Sequence, residues 1–508
     1  MTPVVLDGSN LTIENVYQVA YENVSVQLAE AAIDRMRSSR RVIEKAIVED
    51  RIIYGVNTGF GKLSDVHISP EKVADLQLNL LRSHAAGVGE PLPEAFVRAI
   101  MVTKANTLAK GYSGIRPEVV ELLVDLLNHA IHPVIPEKGS VGACGDLAPL
   151  AHLSLVLVGE GEAFFAGERV PGAQALRRAS LVPETLQAKE GLSLINGTQY
   201  MAGLGALAVK QAEELLKLAD IAAAMNLEAL MGTPTAFDSR IQAARGQLGQ
   251  IASAENLRAL MAGSQIREAH RYCPRVQDPY SLRCTPQVHG ASRDAVKFVH
   301  SVVEQEINAA TDNPLVFTET EDVLSGGNFH GQPVALALDV LAIALAEVGN
   351  IAECRVALSM DGAQSGLPYF LAQDPGLNSG FMIAQVTAAS LVAENKILCH
   401  PASVDSLPTS AGKEDHVSMG ALAVQKLWKV IENTEQILAI EFLCGAQGLD
   451  FRKPLKPGSG VGKAYDMIRA TIPPLQQDRS LTPDIADMIQ LMRSAQFLEE
   501  VERITPLK

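Results

Sequence analysis

Aromatic residues are scarce in this 508-residue sequence: 5% of the total, with one Trp, Trp428. A core with so few rings must be filled by Ala, Leu, Val and Ile, a mix that suits closely approaching helices. Positive charge is also short. Lys and Arg number 43 against 58 Asp and Glu, a net charge of -15. Phosphate binding needs a basic face, so this balance argues against a nucleic-acid partner. The six cysteines are Cys144, Cys273, Cys284, Cys354, Cys399 and Cys444, scattered and without a C-x-x-C pair. That pattern argues against a disulfide scaffold or a structural zinc site and fits a reducing compartment. The start, MTPVVLDGSN, has neither a basic n-region nor an apolar h-region, so no signal peptide is expected and the expected location is cytoplasmic. Apolar stretches are interrupted by charges such as Asp339, Glu347 and Glu353, and none reads as a membrane span. Internal repeats, low-complexity tracts and long linkers are missing.

What is present is a large globular composition, 47% apolar and 20% charged, long enough for one to three domains. From Leu204 to Met225 apolar residues recur at three- and four-residue spacing, and Gly232 and Pro234 follow as stop signals. A second helix is expected from about Pro333 to Leu358 and a third from about Met419 to Cys444. The second is apolar on nearly every face and needs neighbours on several sides. A bundle extended across subunits meets that need, so a homo-oligomer is expected. Gly- and Pro-rich segments punctuate the helices: Tyr54 to Gly61, Gly139 to Asp146, Asp278 to Arg283 and Gly326 to His330. Loops carrying polar and aromatic residues on a rigid frame are where chemistry is expected.

The segment PVIPEKGSVGACGDLAP, from Pro133 to Pro149, carries an unusual possibility. Gly139, Gly142 and Gly145 free its backbone. A tight turn can bring the amide nitrogen of Gly145 onto the carbonyl carbon of Ala143. Loss of water closes a five-membered ring, and loss of the heteroatom of residue 144 leaves an exocyclic methylidene. The product is an electrophile that no unmodified side chain supplies.

The stretch GSVGACGDLAPLAHLSLVLVGEGEA resembles the signature of the aromatic amino acid ammonia-lyase family. The resemblance runs from about Leu6 to Lys453 through IYGVNTGFGKLSD, SHAAGVG, KEGLSLINGTQ, VQDPYSLRCTPQVHGA, ATDNPLVF, SGGNFHGQP, NSGFMIAQ, HPASVDSLPTSA and EDHVSMG. So many ordered segments make it specific. It implies a mainly α, fumarase/aspartase-like fold with a long central antiparallel helix bundle and a smaller N-terminal mixed region. Within one unit over 1–508, residues 1–200 would carry the base and prosthetic-group loops, and residues 201–508 the long helices. It also implies a homotetramer in which neighbouring subunits complete each active site. The implied cofactor is 4-methylideneimidazol-5-one, formed from the chain itself, with no metal and no nucleotide. Cys144 stands where the family has Ser. Either it is an inert cysteine that leaves a silent helical oligomer, or hydrogen sulfide leaves in place of the second water. The presence of the other catalytic positions favours cyclisation.

By the same resemblance Tyr54 is the base that takes the β-proton, a role for which an ordinary Tyr, with a pKa of about 10, needs activation. Read without the resemblance, it is a buried structural Tyr. Arg283 resembles the guanidinium that grips the substrate carboxylate. Tyr280 and Asn196 resemble contacts to the prosthetic group and amine, Gln277 and Phe329 neighbours that orient or pack, and Asp146 an aid to cyclisation. Ser83-His84 and Glu414 resemble the histidine-specific members, and both side chains can hydrogen-bond an imidazole. Gly412-Lys413 departs from that pattern, since Lys413 could pair with Glu414, and leaves open an aryl-alanine lyase or a 2,3-aminomutase. Gly203 and Gly205 read as helix packing rather than a nucleotide loop. His129 and His132 read as ordinary histidines rather than metal ligands.

Overall fold

The computed structural model describes residues 2–143, 145–272 and 275–508. The chain is mainly helical and divides into two compact units: Met1–Lys210 with Val299–Asp339 and Pro401–Gln425, and Gln211–Phe298 with Val340–His400 and Lys426–Lys508. The three expected long helices are Gln199–Ala229, Gln332–Met360 and Gly420–Asp450. The helix Gln332–Met360 is long and apolar enough to cross a bilayer by composition. Its most apolar window is 72% buried inside the protein, as in a core helix.

The first unit holds every strand among the described residues. Val4–Leu6 pairs in parallel with Val26–Leu28, and Val88–Pro91 pairs antiparallel with Pro136–Lys138. His132–Pro133, Glu162–Phe165 and Glu168–Pro171 form a three-stranded antiparallel sheet, and Leu315–Phe317 pairs with Asp322–Leu324. The helix Glu94–Ala109 forms the centre of this unit. Every residue from Val97 to Ala109 is buried, including Arg98, Thr103, Lys104, Asn106 and Thr107. Buried polar groups must find partners. Arg98 Nε donates to Val19 O at 2.7 Å, and Asn106 Nδ2 donates to Ile307 O at 2.9 Å. Gly203 lies where a Cβ would meet the backbone of Ala99 at 3.0 Å, so the residue read as helix packing marks a close approach of two helices.

The second unit buries its own polar network. Arg355 donates to Glu441 Oε2 at 3.1 Å, and Asp220 takes His289 Nδ1 at 2.7 Å and Arg293 at 2.6 Å. Paired in this way, these charges satisfy one another within a helical core. The Asp278–Arg283 segment, expected as loop, is partly helical: Tyr280–Arg283 forms one turn after Pro279. Pro at the position before a first turn, with its fixed φ, favours that start.

Candidate active site

A cavity of about 740 Å³ lies wholly within the first unit. Its exposed wall area is mostly apolar, from residues such as Leu63, Ile68, Leu80 and Leu192, and its polar side chains include Tyr54, Lys62, Ser83, His84, Asn196 and Glu414. A mostly apolar hollow with a few convergent polar side chains is the usual form of a small-molecule site. Tyr54 is held edge-on to Phe60, with ring centroids 6.3 Å apart. Gly61 N–H donates to its hydroxyl oxygen at 3.2 Å, a contact that strengthens when the oxygen carries negative charge. The loop thus orients the phenol from both sides.

His84 ends the helix Val73–His84, and its Nδ1 lies 2.9 Å from Leu80 O. A carbonyl only accepts, so Nδ1 carries the proton and Nε2 is the acceptor in the neutral ring. Burial lowers the His84 pKa, against the opposing pull of the Leu80 carbonyl and the Glu414 charge. Glu414 sits on a tight loop: Thr409 N–H donates to Glu414 O at 2.9 Å, and the Thr409 hydroxyl donates to Glu414 Oε2 at 2.5 Å. Lys413, directly before Glu414 on this loop, is exposed.

The loop carrying the triplet enters the same wall through Leu147. Cys144 lies outside the described residues; its neighbours Ala143 and Gly145 do not. Gly142 and Gly145 adopt φ of 74° and 75°, the left-handed region that glycine tolerates. A Cβ on Gly145 would overlap the Gly197 carbonyl, and one on Gly142 would overlap Ser418 Oγ. Gly145 bridges Gly197, and Asp146 N–H donates to Gly197 O at 2.8 Å. Asp146 is fully buried. Its Oδ2 accepts from Tyr200 N at 2.7 Å, whereas Oδ1 has no hydrogen-bond partner among the described residues. Burial pushes its carboxyl up to about 8, offset in part by the Tyr200 and Met201 N–H groups. A neutral acid beside a compressed glycine turn fits a ring built from the chain's own backbone, so the residues flanking the triplet suit the implied group.

Asn196 is buried at the end of the helix Glu190–Ile195, with Nδ2 donating to Asn313 O at 3.1 Å and Oδ1 without a hydrogen-bond partner among the described residues. Beneath it lies a group that sequence reasoning missed. Lys104 Nζ donates to Asn196 O at 2.7 Å, and burial lowers its pKa to about 7. Lys189 pairs with Asp312 at 2.6 Å nearby, both buried. The signal for it in the sequence was weak, since Lys104 falls with Thr103, Asn106 and Thr107 on one side of a helix over MVTKANTLA and reads as a solvated face, which the fold instead buries.

Phe329 is half-buried on the Gly326–His330 turn and does not line the cavity. Gln277, Tyr280 and Arg283 belong to the second unit. Tyr280 is 69% exposed, and the Arg283 guanidinium lies 4.5 Å from its ring centroid. Arg283 Nε also donates to Asp278 O at 3.0 Å. Gln277 lines a separate, smaller hollow of that unit. His129 follows the helix Pro117–Asn128 and His132 lies on a strand, so they share no helix face.

Residues 11–470 match the aromatic amino acid lyase family. A histidine ammonia-lyase of Stigmatella aurantiaca is 54% identical over 98% of both chains. The crystal structure of histidine ammonia-lyase from Trypanosoma cruzi superposes with a TM-score of 0.93 at 43% identity, covering 99% of this chain and 96% of that one. A tyrosine aminomutase from Streptomyces globisporus superposes with a TM-score of 0.94 at 39% identity over the full length of both. With its triplet loop, its Tyr54 cavity and these likenesses over nearly its whole length, the chain belongs to the aromatic amino acid lyase family.

Proposed function

We propose that this protein eliminates ammonia from L-histidine to give trans-urocanate, using a 4-methylideneimidazol-5-one group formed from Ala143, Cys144 and Gly145. The single observation that carries the reading is the meeting of Tyr54, His84, Asn196 and Glu414 on one cavity reached by the triplet loop. It is supported by relatives of this length and identity that bear the name histidine ammonia-lyase. When formed, the group supplies an electron-poor carbon that takes up the amine and makes ammonia a leaving group.

The side chains do the rest. Tyr54 acts as the phenolate: Gly61 N–H stabilises the negative charge on Oη before the step, and Oη then takes up the β-proton. The acceptor nitrogen of His84 and the carboxylate of Glu414 hold the imidazole, and a benzene ring offers neither of them a hydrogen-bonding group. Asn196 contacts the amine through its buried Oδ1. The chain assembles as a homotetramer around a central helix bundle. Arg283, Tyr280 and Gln277 reach the cavity from a neighbouring subunit, Arg283 gripping the substrate carboxylate. Phe329 packs beside the site. Incubation with L-histidine is expected to raise urocanate absorbance. A sample with the ring in place that leaves L-histidine untouched rejects the reading. The likeness to an aminomutase favours one alternative, which β-amino acid product would identify.

A further inference from the structure

Lys104 is a buried amine with no carboxylate hydrogen-bonded to it among the described residues. Its Nζ is fully enclosed on the helix Glu94–Ala109 and, among the described residues, donates to Asn196 O at 2.7 Å and Gln199 Oε1 at 3.4 Å alone. Gln199 is fixed in the orientation this needs, because its Nε2 donates to Thr107 Oγ1 at 3.1 Å and Thr311 Oγ1 at 2.7 Å. Asp312, whose charge acts on Lys104 from beyond hydrogen-bond range, is already paired with Lys189 at 2.6 Å. Burying an ammonium on two neutral acceptors is costly, and a Met of similar length would spare the cost. Packing alone therefore does not account for a Lys here.

The segment that Lys104 grips is the one against which the triplet is laid. Directly after Asn196, Gly197 bridges Gly145 and accepts from Asp146 N–H at 2.8 Å. Three residues further on, Tyr200 N–H holds Asp146 Oδ2 at 2.7 Å. Residues 196–200 thus form a template, clamped from below by the Lys104 helix and docked above to Gly145 and Asp146.

We propose that Lys104 is a positioning residue for ring closure, holding the Asn196–Tyr200 template so that the Gly145 nitrogen is presented to the Ala143 carbonyl carbon. This rests on the reading that the triplet cyclises. In that closure the Gly145 N–C bond to Ala143 forms. The two amide protons of residues 144 and 145 leave with the Ala143 oxygen as water. The Cα proton and thiol of Cys144 leave as hydrogen sulfide, with no change of oxidation state. A misplaced amide slows such an intramolecular step steeply.

The test follows closure by intact mass and by the absorbance of the ring, in the full-length Cys144 chain and in a Cys144→Ser chain. Each is made with Lys104, Lys104→Met, Lys104→Gln and Lys104→Arg. The Met and Gln variants are expected to fold, by circular dichroism and melting, and to close on the order of a hundredfold more slowly. The Arg variant, which keeps the donors, is expected to close at close to the parent rate. Parent-rate closure in a folded Met or Gln variant overturns the proposal. If Met does not fold, Gln decides. If only the Ser chain closes, the reading of Cys144 fails and Lys104 is judged in the Ser chain. If neither parent closes, both ideas fall.

Discussion

Ser83 and His84 hold the polar side of a mostly apolar cavity, and they give the most direct handle on substrate choice. Replacing them together, Ser83→His with His84→Leu, removes the acceptor nitrogen and substitutes an apolar wall. The ratio of kcat/KM for L-histidine to that for L-phenylalanine is expected to fall at least about a hundredfold. An unchanged ratio would remove His84 from substrate recognition. Asp146 makes a prediction in pH. Its pKa rises from 3.8 unfolded to about 8 folded, chiefly through burial. The folded chain therefore holds this proton more tightly, and the stability it confers is present below the unfolded value and lost as pH climbs through about 8. Asp146→Asn cannot titrate. Its stability relative to the parent should rise between about pH 5 and 8, by up to about 1.4 kcal/mol per pH unit, and then level off. Denaturant unfolding at several pH values measures this, and a difference independent of pH would contradict it.

The helix Gln199–Ala229 passes close to the helix Glu94–Ala109 at Gly203, where a side chain would press on the Ala99 backbone at 3.0 Å. Gly203→Val is expected to cost about 1–3 kcal/mol, read as a lowered Tm, because a backbone cannot yield as a flexible side chain does. The long helices were legible because their apolar spacing persists over many turns and ends at signals such as Gly232 and Pro234. The turn Tyr280–Arg283 was not, since four residues carry no periodicity and Pro279 reads equally as a loop. Lys104 escaped notice for a related reason. Its partners, Asn196 and Gln199, lie more than ninety positions away, a pairing created by folding alone. The triplet loop was legible down to its glycines, whose positive φ values follow from residue type. The contact of Gly145 with Gly197 was not, since nothing in either segment names the other.

At the scale of the whole molecule, the proposed active site draws Tyr54 from one chain and Arg283 from another. Tyr54→Phe and Arg283→Ala, each inactive alone, are therefore expected to regain activity when unfolded together and reassembled. Random mixing restores some sites with both residues intact. Mixed oligomers that stay inactive would place both residues in one chain's site. The division of labour between chains could not be read from spacing in a single sequence, whereas the net charge of -15 and the scarcity of rings did indicate a helical protein acting on small molecules. All of the proposed chemistry depends on one covalent event in residues 143–145. The mass of the peptide from Lys138 to Asp146, taken from freshly purified protein that releases ammonia from L-histidine, tests it most directly. The expected mass is lower than that of the unmodified residues by one water and one hydrogen sulfide. An unmodified peptide in an active sample would contradict the account.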